Sequence, residues 1–480
     1  MVYLGALWNR FALDDAIIIG QDPLVQSLSG LWRAFTRPYL MGAMYRPLTV
    51  ASYVADWPLQ SFAWYHAVNL LWHAAASVLV AALARRWIGS VGALVAGLLF
   101  AVHPVHVEAV ANVVGRDELM AGCFALVAVY AALVRGSVGW SSAALSLGLL
   151  CKENAAVIPG LIVWGWALGI ARPDRRRLAA FAASWAAIAV VYGVVRWAVL
   201  LPHDVRLLAP VFAGQSPLTV RLTALAALAD VARLLVFPLT LRVDYSPAER
   251  TAIGSFADGR LGLGVLAAAA WAFLLVLAWR RGRRVEAFGL GWIGIAFAPV
   301  ANLLFPTGIL VAERTLYLPS AGLAIAAGAW LEQFSARRLW LVVGALVLAG
   351  SARTALRVPV WRSDLTAVLS ILNDSPRSYD GAARMAGIYL AANRPAQALE
   401  AARASLDVYD KDPRPLFIGA AAAYRLGRVP LADSLLASAR RLCLCFSYYR
   451  HEAEAATARG DTALATWLLS RLRQLESATR

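Results

Sequence analysis

Residues 172–201 read RPDRRRLAAFAASWAAIAVVYGVVRWAVLL, a cluster of arginines followed by an almost unbroken apolar run from Leu178 to Leu201. A helix needs about 20 predominantly apolar residues to cross a bilayer, so this run is long enough. The flanking arginines match the excess of positive charge that membrane proteins keep on the cytoplasmic side of their helices. Further apolar segments lie at 66–84, 90–105, 118–134, 140–151, 155–171, 220–238, 261–279, 286–305, 315–333 and 338–357. The ones between 118 and 171 are short, which is tolerated where a span is buried or the bilayer thins. Composition points the same way: 60% of the 480 residues are hydrophobic and 15% charged, against roughly 45–50% and about 25% in a soluble domain. An ordinary soluble enzyme is excluded, and the glycine, proline and cysteine counts exclude collagen-like, disordered and disulfide-scaffold chains. The reading is an all-α, polytopic transmembrane helical bundle.

A net charge of +16 invites a nucleic-acid reading. The charge is almost all arginine, however, and much of it clusters beside apolar runs, at Arg85-Arg86, Arg172 to Arg177, Arg280 to Arg284 and Arg337-Arg338. No nucleic-acid partner is expected. If all four clusters are cytoplasmic, the intervening helix pairs go out and return, which places His103 to Glu118, Lys152-Glu153 and Pro306 to Arg314 outside. Segment 220–238 breaks the parity. It carries Arg221, Asp230 and Arg233, and charges within a membrane are costly, so it reads as an interfacial or re-entrant helix on the outer face. The last span then exits outward and puts 359–480 outside as well. The first 65 residues are too broken by Asp, Arg and Pro to span, and no cleavable signal peptide is expected.

After about 358 the long apolar runs stop, which divides the chain into 1–358 and 359–480. The tail repeats itself: Asn393, Gly427 and Gly460 are 34 and 33 residues apart, and each is followed five residues later by Ala398, Ala432 or Ala465. A helix, a tight turn and a second helix with a small packing residue, at that period, is the tetratricopeptide pattern. A plain Ala-rich helical bundle is the alternative. A short solenoid of three repeats suits an extended peptide or a partner helix. Cys443-x-Cys445 does not have metal-knuckle spacing.

The charges collected outside are the informative set: Asp14, Asp15, Asp22, Arg46, His66, His73, His103, His106, Glu108, Arg116, Asp117, Glu118, Lys152, Glu153, Glu313 and Arg314. Carboxylates can take a proton from an alcohol, and Arg or Lys can hold a phosphate leaving group. Each element also has a plainer reading. Asp14-Asp15 fits a helix N-cap, His103-Pro-x-His106 fits interfacial hydrogen bonding, and Lys152-Glu153 and Glu313-Arg314 fit local ion pairs. His103, His106 and Glu108 are poorly spaced for zinc, so no metal is expected. No nucleotide-binding or serine-hydrolase motif appears. These residues alone leave a membrane enzyme or a transporter with an outward-facing polar site.

Longer blocks narrow the choice. Phe11-Ala-Leu-Asp-Asp15, Tyr45-Arg-Pro-Leu48, Tyr65-His-x-x-Asn69 with His73, HPVHVEAVANVVGRDEL from His103 to Leu119, Lys152-Glu153 with Pro159, and NLLFPTGILVAERTLYLPSAG from Asn302 to Gly322 form one pattern. Together with the tail they resemble the transmembrane and tetratricopeptide-repeat O-mannosyltransferase family. The resemblance implies a GT-C fold with its active site at the outer or lumenal face, a polyprenyl-phosphate sugar donor, usually mannose, and a protein hydroxyl acceptor. It implies that one of Asp14 and Asp15 is the general base. It makes Arg46, Arg116, Lys152 and Arg314 the candidates for the donor phosphate, with His103, His106, Glu108, Asp117, Glu118, Glu153 and Glu313 in support. No cofactor is expected beyond the lipid-linked sugar, which is a substrate; the partners are that lipid, the membrane and an acceptor protein or glycan. The family's first transmembrane helix should precede Asp14, where only Tyr3 to Phe11 resembles its end.

The arginine bias suggests a bacterial homologue, in the cell inner membrane with site and repeats on the periplasmic side; a eukaryotic homologue would sit in the endoplasmic reticulum membrane. The expected activity is an inverting transfer in which a carboxylate deprotonates the acceptor as the lipid phosphate leaves. The competing expectation is a non-catalytic membrane scaffold or a polyprenyl-lipid transporter that uses the repeats for assembly.

Overall fold

The computed structural model describes residues 2–39, 44–201, 208–245, 247–443 and 446–478; Cys445 of the Cys-x-Cys pair lies outside them. Among these residues there are helices and no strand, only an isolated bridge between Tyr39 and Met44. The chain divides into two compact units. The first comprises Met1–Leu241 and Ile253–Asp364, and the second Arg242–Ala252 and Leu365–Arg480.

The first unit contains α1 (Gly30–Arg33), α2 (Pro47–Asp56), α3 (Phe62–Ala84), α4 (Ser90–Val102), α5 (Val107–Ala111), α6 (Arg116–Leu133) and α7 (Val138–Cys151). There follow α8 (Ile158–Ala167), α9 (Arg175–Leu200), α10 (Pro217–Val236), α11 (Gly259–Arg280), α12 (Arg284–Phe297), α13 (Tyr317–Leu331) and α14 (Ala336–Arg357). The opening stretch becomes α9. Asp174 caps it by accepting the Arg177 N–H at 2.8 Å, as an N-cap carboxylate should. Of α9 only Phe181 is fully buried, so a helix apolar on every side presents most of its side chains outward. Such a surface is stable against hydrocarbon and not against water. By length and composition α3, α9, α11 and Ala336–Arg362 can each cross a membrane, and Ser90–Val102 with Pro104–Ala111, bent by 45°, is a fifth candidate. The chain is a multi-pass membrane protein.

The shorter apolar segments build the interior. α6 packs on α3 and α7, α4 on α3 and α13, and α12 on α13. The last pair is unusually close. A Cβ on Gly322 would lie 2.4 Å from the Gly289 carbonyl oxygen, and one on Gly289 would lie 2.3 Å from that of Gly322. Small residues that let backbones meet in this way are what membrane helix pairs use in place of a hydrophobic drive. Segment 220–238 is helical as α10, and Arg221 is held by the carbonyls of Asn302 and Leu304 at 3.2 and 2.9 Å.

The second unit contains α15 (Asp364–Asp374, from Leu365), α16 (Tyr379–Ala391), α17 (Pro395–Val408), α18 (Pro413–Arg425), α19 (Val429–Leu442), α20 (Phe446–Ala458) and α21 (Thr462–Ala478). From α16 onward the helices pair as three hairpins. Their turns use Asn393, Gly427 and Gly460 at φ of 57°, 71° and 77°, the left-handed region that glycine and asparagine enter most cheaply. Ala398, Ala432 and Ala465 are buried where the hairpins close. The unit also takes in 242–252: Ser375 and Ser378 donate to the backbone and side chain of Asp244, and the Arg377 N–H donates to Glu249. A boundary drawn at 358 from loss of apolarity therefore differs in two ways. The first unit runs on to Asp364, whose carboxylate accepts the Leu13 N–H, and an internal segment joins the tail.

Candidate functional site

The site is framed by the ends of short helices, and the sequence blocks supply those ends. Pro47 begins α2, which leaves Arg46 just before its first turn. Asp117 and Glu118 occupy the first turn of α6, where a carboxylate is favoured by the helix dipole. Lys152 ends α7 and Glu153 follows it. The Arg46 guanidinium takes Glu153 bidentately at 3.0 and 2.6 Å and also meets Asp117. Lys152 Nζ reaches Asp117 at 3.0 Å and Glu118 at 2.7 Å. Burial alone would raise the Glu153 carboxyl, but the Arg46 guanidinium brings it down to about 2. Arg314 donates from Nη1 to Glu108 at 3.0 Å, and its backbone N–H donates to the same carboxylate at 2.9 Å.

Most of these groups border a cavity of about 990 Å³. Asp14, Arg46, Asp117, Lys152, Glu153 and Arg314 are all on its wall. Much of the remaining lining is apolar, including Ile295, Pro299, Val300, Leu304, Phe305 and Leu310. Asn302 shapes that part of the lining from a backbone at φ 57°: its Oδ1 accepts the Thr307 N–H at 2.7 Å and its Nδ2 donates to the Ile309 carbonyl at 2.9 Å. A large cavity with a largely apolar lining and a few converging polar groups is the usual form of a binding site.

The two adjacent acids part company. Asp15 is fully buried and its carboxylate accepts the N–H groups of Ala12, Val113 and Val114 at 3.2, 3.2 and 2.8 Å. It makes no side-chain cap hydrogen bond to the turn it precedes. Burial pushes its carboxyl up to about 7 despite those three donors. Asp14 faces the cavity, within electrostatic range of Arg314. Leu13 beside it has φ 54°, a region that costs a non-glycine residue energy and that clusters at functional sites.

Arg116, placed by sequence among the donor-phosphate residues, does not reach the cavity. It has no exposed surface, and its fork is spent on Asn69 Oδ1 at 2.9 Å, the Tyr65 carbonyl at 3.0 Å and the Asp56 carboxylate, between the rings of Tyr53 and Tyr65. His103 and His106 are also off the wall: His103 Nε2 meets the Leu235 carbonyl at 2.9 Å, and His106 Nε2 meets Ser320 Oγ at 2.7 Å. Glu108 and Glu118 act through their cations, and Glu313 is buried at the start of a 3₁₀ turn. Among the described residues no three His, Cys, Asp or Glu side chains converge as a metal site would require. Sequence reasoning missed Tyr39, Asn154, Thr307 and Arg196 on the wall. Only Arg196 carried a signal, as the lone charge inside the apolar run 178–201.

No family model and no solved structure matches the chain. It is similar to human protein O-mannosyl-transferase TMTC3, 29% identical over 424 residues that cover 77% of this chain and 46% of the relative. Human protein O-mannosyl-transferase TMTC4 is 29% identical over 443 residues, 76% of this chain and 59% of the relative. Protein O-mannosyl-transferase F38B6.6 of Caenorhabditis elegans is 27% identical over 396 residues, 78% and 56%. The chain spans about half the length of the curated relatives it matches. The resemblance drawn from the sequence blocks thus extends over about three quarters of the chain.

Proposed function

We propose that the chain is a membrane glycosyltransferase that moves a sugar, mannose by analogy with the relatives, from a polyprenyl-phosphate donor to a hydroxyl of a protein acceptor at the outer or lumenal face. One observation carries the reading: a single cavity brings Asp14 and Arg314 into one lining with a large apolar surface suited to a lipid chain. In the reaction the acceptor oxygen attacks the anomeric carbon, the bond from that carbon to the phosphate oxygen breaks, and Asp14 takes the hydroxyl proton. One displacement inverts the anomeric centre. The leaving group is a polyprenyl monophosphate, whose charge cationic side chains can stabilise, so the proposal needs no metal. Arg314 is the predicted cation best placed beside Asp14; Arg46 and Lys152 are engaged by Asp117, Glu118 and Glu153 and hold the wall rigid.

The three hairpins of the second unit read as tetratricopeptide repeats that hold an extended acceptor and raise its effective concentration. The test of the whole reading is transfer of radiolabelled mannose from polyprenyl-phosphate mannose by the purified chain. Transfer to a protein hydroxyl supports it. Lipid binding without transfer, to protein or small-molecule acceptor, would favour a scaffold or transporter. If the repeats hold the acceptor, charge reversals on their surface should weaken use of a protein acceptor and spare a small soluble one at high concentration.

A further inference from the structure

The cavity's predicted cations share one property: each already has a carboxylate. Arg46 has Asp117 and Glu153, Lys152 has Asp117 and Glu118, and Arg314 has Glu108. Arg196 is different. It lines the same cavity, is half-buried, and among the described residues has no ion pair or hydrogen bond. It stands on α9, whose other faces are mostly exposed. One helical turn earlier, and therefore on the same face, Tyr192 has a hydroxyl that is buried with no hydrogen-bond partner. The Tyr192 ring lies 6.3 Å from that of Tyr45, beside Arg46, and its hydroxyl is within electrostatic range of both Arg196 and the Arg46–Glu153 pair.

An arginine inside an apolar run is costly unless it has a counter-charge, and a buried hydroxyl without a partner costs about 1–3 kcal/mol. Both costs fall away if an anion with several acceptor oxygens sits against Arg196 in the cavity and the Tyr192 hydroxyl, which is not itself on the wall, turns to donate to it. We propose that Arg196 and Tyr192 bind the phosphate of the polyprenyl-phosphate donor, and that the predicted cations serve chiefly as a preorganised framework. The assignment deepens the proposed function and rests on it for the identity of the lipid. The chemistry fits: a guanidinium presents two parallel donors to a phosphate, the phenol adds a third, and the apolar wall from Ile295 to Leu310 takes the isoprenoid chain. A helix with most of its length facing the bilayer is also where a lipid arriving sideways would first meet protein.

The experiment measures binding of a long-chain polyprenyl phosphate, and of the uncharged polyprenol of the same length, to the full chain in lipid nanodiscs. Arg196→Gln should weaken binding of the phosphate at least tenfold and leave the polyprenol unchanged. Tyr192→Phe should weaken the phosphate severalfold by the same pattern, and Arg196→Lys should recover part of the loss. Unchanged phosphate binding by both Arg196→Gln and Tyr192→Phe overturns the assignment. So does an equal loss of phosphate and polyprenol in both, which would show a structural role. If the unaltered protein binds neither lipid, the donor class itself fails, a result distinct from failure of Arg196 alone.

Discussion

Asparagine substitution at the two neighbouring acids should separate chemistry from structure. Asp15 offers a carboxylate to three buried backbone N–H groups. An asparagine there has one oxygen with two lone pairs and turns an NH₂ toward a donor, so at least one buried amide loses its acceptor. Each such loss costs about 1–3 kcal/mol; with the misplaced NH₂, Asp15→Asn should destabilise the first unit by on the order of 2–4 kcal/mol. Asp14 lies on the cavity wall, and a neutral isostere there should cost less stability than the Asp15 substitution. Asp14→Asn cannot accept the acceptor's proton, however, and loss of a general base costs about 10²–10⁴ in rate. The assay pairs thermal unfolding of purified protein with mannose transfer at a temperature where every variant is folded. Folded Asp14→Asn with full turnover would refute the base assignment. Asp15→Asn as stable as the unaltered chain would refute its role as an anchor.

The Asp15 carboxyl is raised from an ordinary value of 3.8 to about 7. A raised value means that its contribution to stability is full below about 3.8 and is lost as pH climbs through 7; the stability gap to Asp15→Asn, measured by unfolding at a series of pH values, should narrow over that window. Glu153 behaves oppositely, because its carboxyl is lowered to about 2: the contribution present above the ordinary 4.5 should disappear as pH falls toward 2, and Glu153→Gln should abolish that slope. Arg116→Met should destabilise by about 3–5 kcal/mol, since it strands the buried Asp56, yet leave the donor KM unchanged in the folded fraction, as expected of a group that does not touch the cavity. Thiols placed at the exposed Leu304 and Asp410 should react with an impermeant reagent from outside, and those at Arg176 and Gly282 should not; protection at Asp410 would reverse the side proposed for the tail.

What the sequence disclosed follows from what periodicity and composition encode. The run 178–201 is long, apolar and capped by Asp174, and it appears as α9 with little adjustment. The turns at Asn393, Gly427 and Gly460 are legible because left-handed backbone selects those residue types. The role of 242–252 is not legible, because a short polar segment docking into another unit through Asp244 and Glu249 leaves no periodic trace. In the sequence the site is a set of charges on one side, and the cavity gathers six of them. Direction within the set was hidden. Asp14 and Asp15 are chemically identical neighbours, and the strained Leu13 and the amides of Ala12, Val113 and Val114 decide which one turns inward. Arg116 sits in the same block as Asp117 and Glu118, yet its side chain goes into the cage of Asn69, Asp56 and two tyrosines and not to the cavity.

The ion pairs along the polar wall bear directly on how an anionic donor can be held there. The network of Arg46, Lys152, Asp117, Glu118 and Glu153 sets two cations against three carboxylates, and Arg314 with Glu108 is neutral. Such pairs are expensive to bury and mainly fix geometry; their positive charge is already spent. A phosphate brought against that wall would meet no surplus of positive charge from it. The electrostatics therefore call for a cation that faces the cavity without a carboxylate. Arg196 meets that description among the described residues. Neutralising Arg196 should thus cost donor binding, whereas neutralising Arg46 should first cost the rigidity of the wall, since it would release Glu153 and leave Asp117 to Lys152 alone.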